Sequence, residues 1–291
     1  MADSMRVGIV GLGLIGGSIA AGLRSAGQYE IHAHDLDSSA LVLGESMGIV
    51  DRIHPTLDTL ASVVDVLILA TPVRTLPSIL PHLTQFEGVL TDVGSVKQPI
   101  VDAVLVNAPR LAQRLVPGHP VAGSERHGVD AADPNLFRHH KVILTPLDVT
   151  QADALARIQT IWMSLGAEVV QMSVDHHDDV LAQTSHLPHL LAYTLVDVLA
   201  GFGDEREVFE YAAGGFRDFS RIAASDPEMW RDIFLTNKDA LLRLIETFIA
   251  ALNQTSKLIE AEDAEALTER LTRAKAARDY FTSIQPKSSE S

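Results

Sequence analysis

Residues 7–16 read Val-Gly-Ile-Val-Gly-Leu-Gly-Leu-Ile-Gly, a short apolar strand running straight into a Gly-x-Gly-x-x-Gly turn. Three glycines at that spacing make sense where a buried strand gives way to a helix under a phosphate. Gly11 permits the tight turn, Gly13 lets backbone approach a pyrophosphate, and Gly16 lets the helix pack close on the strand. Leu12 and Ile15 fill the positions between them, beside the bound dinucleotide. The helix that follows offers the phosphates its unpaired N–H groups and the positive end of its dipole. A second apolar run, 31–34, ends at Asp35, 19 residues beyond Gly16. A carboxylate there accepts hydrogen bonds from an adenosine ribose and repels a 2′-phosphate. Asp37 adds negative charge and no Arg follows closely, so NAD is predicted rather than NADP.

The apolar runs 7–10, 31–34, 66–70, 89–91, 115–116, 142–145 and 169–171 alternate with helix-length segments. Runs of this kind predict parallel strands buried on both faces. Beyond residue 173 the pattern turns helical, over 178–201, 206–213, 227–254 and 264–283, with Leu241, Leu244, Ile245, Phe248, Ile249 and Leu252 at helical spacing. The expected architecture is an α/β Rossmann-type dinucleotide-binding domain, 1–172, then an all-helical domain, 173–285, with a disordered polar tail, 286–291. A net charge of −15, with no Lys/Arg run, argues against nucleic acid or an anionic membrane as the main partner. No apolar run approaches the roughly 18–20 residues of a membrane helix. No secretory signal is evident at the start of the sequence, so the expected location is the cytoplasm. With 0 Cys, disulfides, iron–sulfur clusters, thiolate zinc and a cysteine nucleophile are excluded.

Chemistry-bearing residues gather where strands are predicted to end, the edge at which open α/β sheets bind ligands. Thr71 and Val73 follow one strand and are either cofactor neighbours or parts of an ordinary turn. Ser95 follows the next; its hydroxyl can bridge cofactor and substrate, cap the helix after it, or both. His119 lies in a loop of small residues, placed to act as a base near neutral pH or to make a structural hydrogen bond. In the helical half, His186 and His189 lie three apart, on one helix face. Pro188 should kink that helix, because it lacks the N–H that would bond the carbonyl of Thr184. No ligand set completes a metal site with these histidines, so no metal is expected. The segment 175–179, Asp-His-His-Asp-Asp, reads as a solvated helix start. Arg217, Arg221 and Arg231 lie near Asp218 and Trp230; an Arg there either clamps a carboxylate or forms surface ion pairs.

Five motifs occur in order: Gly-Leu-Gly-Leu-Ile-Gly-Gly-Ser (11–18), Asp-Val-Gly-Ser-Val-Lys (92–97), Gly-His-Pro-Val-Ala-Gly-Ser-Glu (118–125), Ser-His-Leu-Pro-His (185–189) and Gly-Gly-Phe-Arg-Asp-Phe-Ser-Arg-Ile-Ala (214–223). Together they resemble the prephenate/arogenate dehydrogenases of tyrosine biosynthesis, and most of all the bacterial single-function cyclohexadienyl dehydrogenases. The resemblance implies an NAD(P)-dependent oxidative decarboxylation. Hydride leaves C4 of a cyclohexadienyl ring, the 4-hydroxyl loses its proton, the ring carboxylate leaves as CO2 and the ring becomes aromatic. It implies that His119 takes the proton and that Ser95 orients nicotinamide and substrate. By the same resemblance Arg221 holds a substrate carboxylate, His189 contacts the substrate, and Trp230 and Asp218 line the pocket. Ser124 and Glu125 then stand at its mouth, with Glu125 pairing with Arg221 as a gate, and the helical domain forms a homodimer. Two alternatives share the layout: a 3-hydroxyacid dehydrogenase of the 6-phosphogluconate type, for which only Lys238 is available as the catalytic lysine, and a non-catalytic NAD-binding dimer.

Overall fold

The computed structural model describes residues 4–123, 126–202 and 210–284. The chain divides into two compact units, residues 1–241 and 242–291, so the boundary expected near residue 172 falls inside the first of them. Six parallel strands form the main sheet in the order β3-β2-β1-β4-β5-β6. They are β1 (Met5–Val10), β2 (Tyr29–His34), β3 (Arg52–Ile53), β4 (Val66–Leu69), β5 (Val89–Asp92) and β6 (Leu115–Val116). Helices α1 (Leu14–Ala26), α2 (Ser38–Ser46), α3 (Leu57–Ala61), α4 (Leu76–Ile79), α5 (Gln98–Asn107) and α6 (Ala152–Ser164) accompany these strands. Alternation along β4 shows why both faces are covered: Val66 and Ile68 enter one core, Leu67 and Leu69 the other.

Not every predicted strand joins that sheet. Runs 142–145 and 169–171 become β8 (Lys141–Leu144) and β9 (Glu168–Gln171) of a separate three-stranded sheet. Its third member, β7 (Gly118–Pro120), is antiparallel to β8 and pairs His119 with Ile143. His119 therefore sits mid-strand rather than in a loop. An apolar, β-branched run reports burial on two faces; it does not say which sheet supplies the partner. Pro117 takes the chain out of β6 and into this second sheet.

The first unit continues through α7 (Val174–Leu181), a single π-helical turn (Ala182–His186) and α8 (Leu187–Ala200). Pro188 stands in the first turn of α8, and the widened turn before it absorbs the missing N–H, so the expected kink takes the form of a π-bulge. After α9 (Gly214–Ser220) and a 3-10 turn (Arg221–Ala224) come α10 (Pro227–Thr236) and α11 (Lys238–Glu260), which crosses into the second unit. The single helix expected over 227–254 breaks at Asn237, whose side chain is engaged elsewhere. Half of the helix expected over 206–213 lies outside the described residues, and 211–213 are not helical. In the second unit, α12 (Ala264–Ile284) returns along α11, and Arg270 donates to the carbonyl of Ala251. Ile249, Leu252, Leu271 and Phe281 stay at least half exposed there. Among the described residues no helix is long and apolar enough to cross a membrane.

Candidate active site

Strand register sets the order of the site. Val10 pairs with His34 on one side and Leu69 on the other, Leu69 with Asp92, and Thr91 with Val116. The segments carrying Asp35, the glycine turn, Thr71 and Ser95 thus leave one edge of the sheet side by side. Gly11 has φ +92°, and a Cβ on it would lie 2.5 Å from the carbonyl of Ala70. A Cβ on Gly16 would lie 2.0 Å from the carbonyl of Gly11. Beside Gly13, by contrast, a Cβ would meet nothing within 4 Å, which leaves room for a pyrophosphate. No side chain caps α1 and no acid stands in its first turn, so its N–H groups are open to phosphate. These residues fit a dinucleotide.

Asp35 does more than its sequence position suggests. Its carboxylate accepts the N–H of Leu12 within the glycine turn at 2.6 Å and the N–H of Asp37 at 2.8 Å. Each oxygen keeps a lone pair, so the side chain that shapes the turn can still accept a hydrogen bond from a ligand hydroxyl. Asp35→Ser is expected to weaken NAD binding about tenfold or more, the worth of a charge-assisted hydrogen bond, and to narrow the preference over NADP. Titration of both cofactors checks this; unchanged NAD affinity would remove Asp35 from the site. Thr71 is half-buried and accepts the hydroxyl of Thr75 at 2.9 Å, and Val73 opens the short turn beyond it.

Behind Ser95 lies a buried ionic core that the motifs alone do not reveal. Lys97 is 0 % exposed; its Nζ donates to Asp92 and to the Gly118 carbonyl, each at 2.5 Å. Asp92 also accepts the N–H groups of Gly94 and Gly118. Helix α5 is capped by Asp178, which accepts the N–H of Lys97 at 2.8 Å and of Gln98 at 2.9 Å. Ser95 is therefore not the cap, and its hydroxyl remains available to a ligand.

Asp178 also ends a chain of imidazoles. His119 Nδ1 lies 2.9 Å from His177 Nε2, and His177 Nδ1 lies 2.7 Å from Asp178 Oδ1. A carboxylate only accepts, so His177 carries its proton on Nδ1 and accepts at Nε2. His119 must then donate from Nδ1, which leaves its Nε2 with a lone pair able to accept a proton. Burial, reinforced by His177 and the Lys97 ammonium, holds His119 well below its usual range. Burial pushes Asp178 up, but the His177 hydrogen bond and the two backbone N–H groups outweigh it and keep the carboxylate ionised. The segment 175–179 is thus solvated only in part. Asp175, His176 and Asp179 face out, while His177 and Asp178 are buried on the opposite side of α7.

The helical elements add the other wall. The π-helical turn and α8 set His186 and His189 around Trp230; the His189 ring stacks on the indole at 3.6 Å between centroids. His189 donates from Nδ1 to the Ser185 carbonyl at 2.9 Å, leaving Nε2 as an acceptor. Trp230 packs with Val96, the neighbour of Ser95. Arg221 begins the 3-10 turn, exposed, and its charge reaches the His189 ring. Asp218 lies exposed on α9, one turn before it. Arg231 pairs with Asp232 at 2.8 Å, and Arg74 reaches the same carboxylate at 3.5 Å, tying the turn after β4 to α10. Ser124 and Glu125 lie outside the described residues.

Residues 19–171 match the model of the prephenate dehydrogenase nucleotide-binding domain, and residues 173–273 match that of the prephenate dehydrogenase dimerization domain. The chain belongs to the prephenate dehydrogenase family. It is an NAD-dependent dehydrogenase of tyrosine biosynthesis. It is 35% identical over 279 residues to the cyclohexadienyl dehydrogenase of Zymomonas mobilis, covering 94% of each chain. It is 38% identical to the prephenate dehydrogenase of Aquifex aeolicus, solved with hydroxyphenyl propionate and NAD+, at a TM-score of 0.87 over 95% of this chain and 98% of that one. The arogenate dehydrogenase of Synechocystis is 30% identical at a TM-score of 0.80, covering 95% of this chain and all of that one (100%).

Burial lowers the pKa of His119, His177, His186 and His189, that of His186 to about 4. Between about pH 4 and 6.5 the unfolded chain binds protons at these rings that the folded chain does not. Stability therefore falls as pH falls through that window, by up to about 1.4 kcal/mol per pH unit for His186 alone. Denaturant midpoints measured from pH 7 down to pH 4 should drop accordingly, and less steeply in a His186→Gln variant. A flat profile would contradict the neutral state of these rings.

Proposed function

We propose that the chain oxidatively decarboxylates prephenate to 4-hydroxyphenylpyruvate, arogenate to tyrosine, or both, with NAD+ as oxidant. The observation that carries this reading is the His119–His177–Asp178 chain beside Ser95, which supports a neutral imidazole with a fixed, unprotonated Nε2. In this reading His119 Nε2 takes the proton of the 4-hydroxyl. His177 accepts the hydrogen bond from the imidazolium so formed, and Asp178 stabilises both. Ser95 bridges nicotinamide and substrate. Gly11, Leu12, Gly13, Ile15, Gly16, Asp35, Thr71 and Val73 hold the cofactor, which accepts the hydride from C4 when bound. The C1–carboxyl bond breaks as CO2 leaves, its electrons complete the aromatic ring, and the phenolate oxygen regains a proton.

Arg221, His189, Trp230, Asp218, Ser124 and Glu125 are taken as the substrate side. Residues 1–172 would supply the cofactor half and 173–285 the substrate and dimer half. The enzyme acts as a homodimer in the cytoplasm; the half-exposed Ile249, Leu252, Leu271 and Phe281 support pairing of two copies, and light scattering tests it. A 3-hydroxyacid dehydrogenase is disfavoured because Lys238 is exposed at the start of α11. The purified chain should reduce NAD+ when given prephenate or arogenate; no NADH from either would overturn the proposal.

A further inference from the structure

No hydrophobic core anchors the segment that carries Asp218 and Arg221. Neither α9 nor the 3-10 turn Arg221–Ala224 buries a residue. Segments without buried contacts lie at the low end of local stability, so one well-placed bond can decide where they stand. The turn closes on itself at Ser225, whose hydroxyl donates to the Ile222 carbonyl at 2.9 Å. A second bond reaches the same residue from α8: the Tyr193 hydroxyl donates to the Ser225 carbonyl at 2.6 Å. The donor is itself firmly placed. Tyr193 lies one turn after His189 on the same face of α8, and its ring packs against the cluster of Val96, Trp230 and Ile233. A half-buried tyrosine offers its ring for packing and its hydroxyl for one directed bond. Burial, reinforced by the Asp226 carboxylate, holds that hydroxyl above its usual range, so it stays a donor through neutral pH. Trp230 has its own support within the cluster; the residues of the Arg221 turn are not among its members.

Resting on the assignment of Arg221 to a substrate carboxylate, we propose that Tyr193 is a positioning residue for the reaction. Its hydroxyl pins the end of the turn that Arg221 begins, and so sets where the guanidinium stands relative to His189 and Trp230. A guanidinium holds a carboxylate best when its planar fork is correctly aimed, so a small displacement of the turn costs affinity. Tyr193 acts through the turn. Its contribution falls on capture of the anionic substrate, and neither on the cofactor nor on proton transfer at His119.

Tyr193→Phe tests this, because it removes the bond and keeps the ring against Trp230. The variant should raise KM for prephenate or arogenate about three- to tenfold, the range of a neutral hydrogen bond. KM for NAD+ and kcat should each change by less than about twofold. A role in stability alone would shift the denaturant midpoint and leave KM where it is. Arg221→Gln by itself should raise substrate KM about ten- to a hundredfold, the range of a hydrogen bond to a charged group. Adding Tyr193→Phe to Arg221→Gln should then raise it by less than about twofold more, since residues that act through one another are not additive. Unchanged substrate KM in Tyr193→Phe, an equal loss for NAD+, or the full multiplied loss in the double variant would each overturn the proposal. Wild-type substrate KM in Arg221→Gln would instead overturn the assignment of Arg221 on which it rests.

Discussion

Replacing His119 with Asn is expected to lower kcat by about 10²–10⁴-fold, the usual contribution of a positioned general base, with KM for substrate changed by less than about tenfold. Asn can still donate toward His177, so the buried contact survives while the Nε2 lone pair is lost. The wild-type pH profile provides the second half of this prediction. Only the neutral ring accepts a proton, and burial holds His119 well below 6.5. Activity should therefore be level through neutral pH and fall on acidification, with a midpoint below pH 6.5. His119→Asn should abolish that acid limb. An unchanged kcat, or a midpoint above 6.5, would remove His119 as the base.

Lys97→Met is the substitution expected to cost most stability, about 3–5 kcal/mol, because it leaves a buried charge without its partner. Lys97 is fully buried, and burial pulls its pKa down against the attraction of Asp92. Removing the ammonium strands the Asp92 carboxylate at 3 % exposure, held only by the N–H groups of Gly94 and Gly118. It also strips the Gly118 carbonyl of its donor, next to His119 in β7. Adding Asp92→Asn to Lys97→Met should restore part of the loss, since the second change removes the stranded charge. Denaturant unfolding of the single and double variants measures both effects. A Lys97→Met protein as stable as wild type would show that the pair contributes nothing to the fold.

Local motifs were legible in the sequence, and long-range partnerships were not. The glycine turn and Asp35 could be read because their geometry is set by a few adjacent residues on the end of one strand. That Asp35 also holds the N–H of Leu12 depends on the parallel register of β1 and β2, which no local pattern encodes. His119 stood out by position, but its tautomer depends on His177 and Asp178, 58 and 59 residues away. Those two fell in an acidic run that reads as solvent-facing until the face of α7 is known. Lys97 carries no local signal of burial within the 92–97 motif, because a lysine reads as exposed unless a buried carboxylate is found for it. Asn237 had no signal beyond a polar residue in an apolar helix pattern; its bonds to Asp178 and His186 explain the break it makes.

The central claim is that loss of hydride and loss of CO2 are one reaction on this site. Prephenate and arogenate labelled with carbon-14 in the ring carboxylate, incubated with NAD+ and the purified chain, test it most directly. One labelled CO2 released for each NADH formed, with none released when NAD+ is omitted, is the expected result. NADH formed without labelled CO2 would mark simple alcohol oxidation and contradict the account.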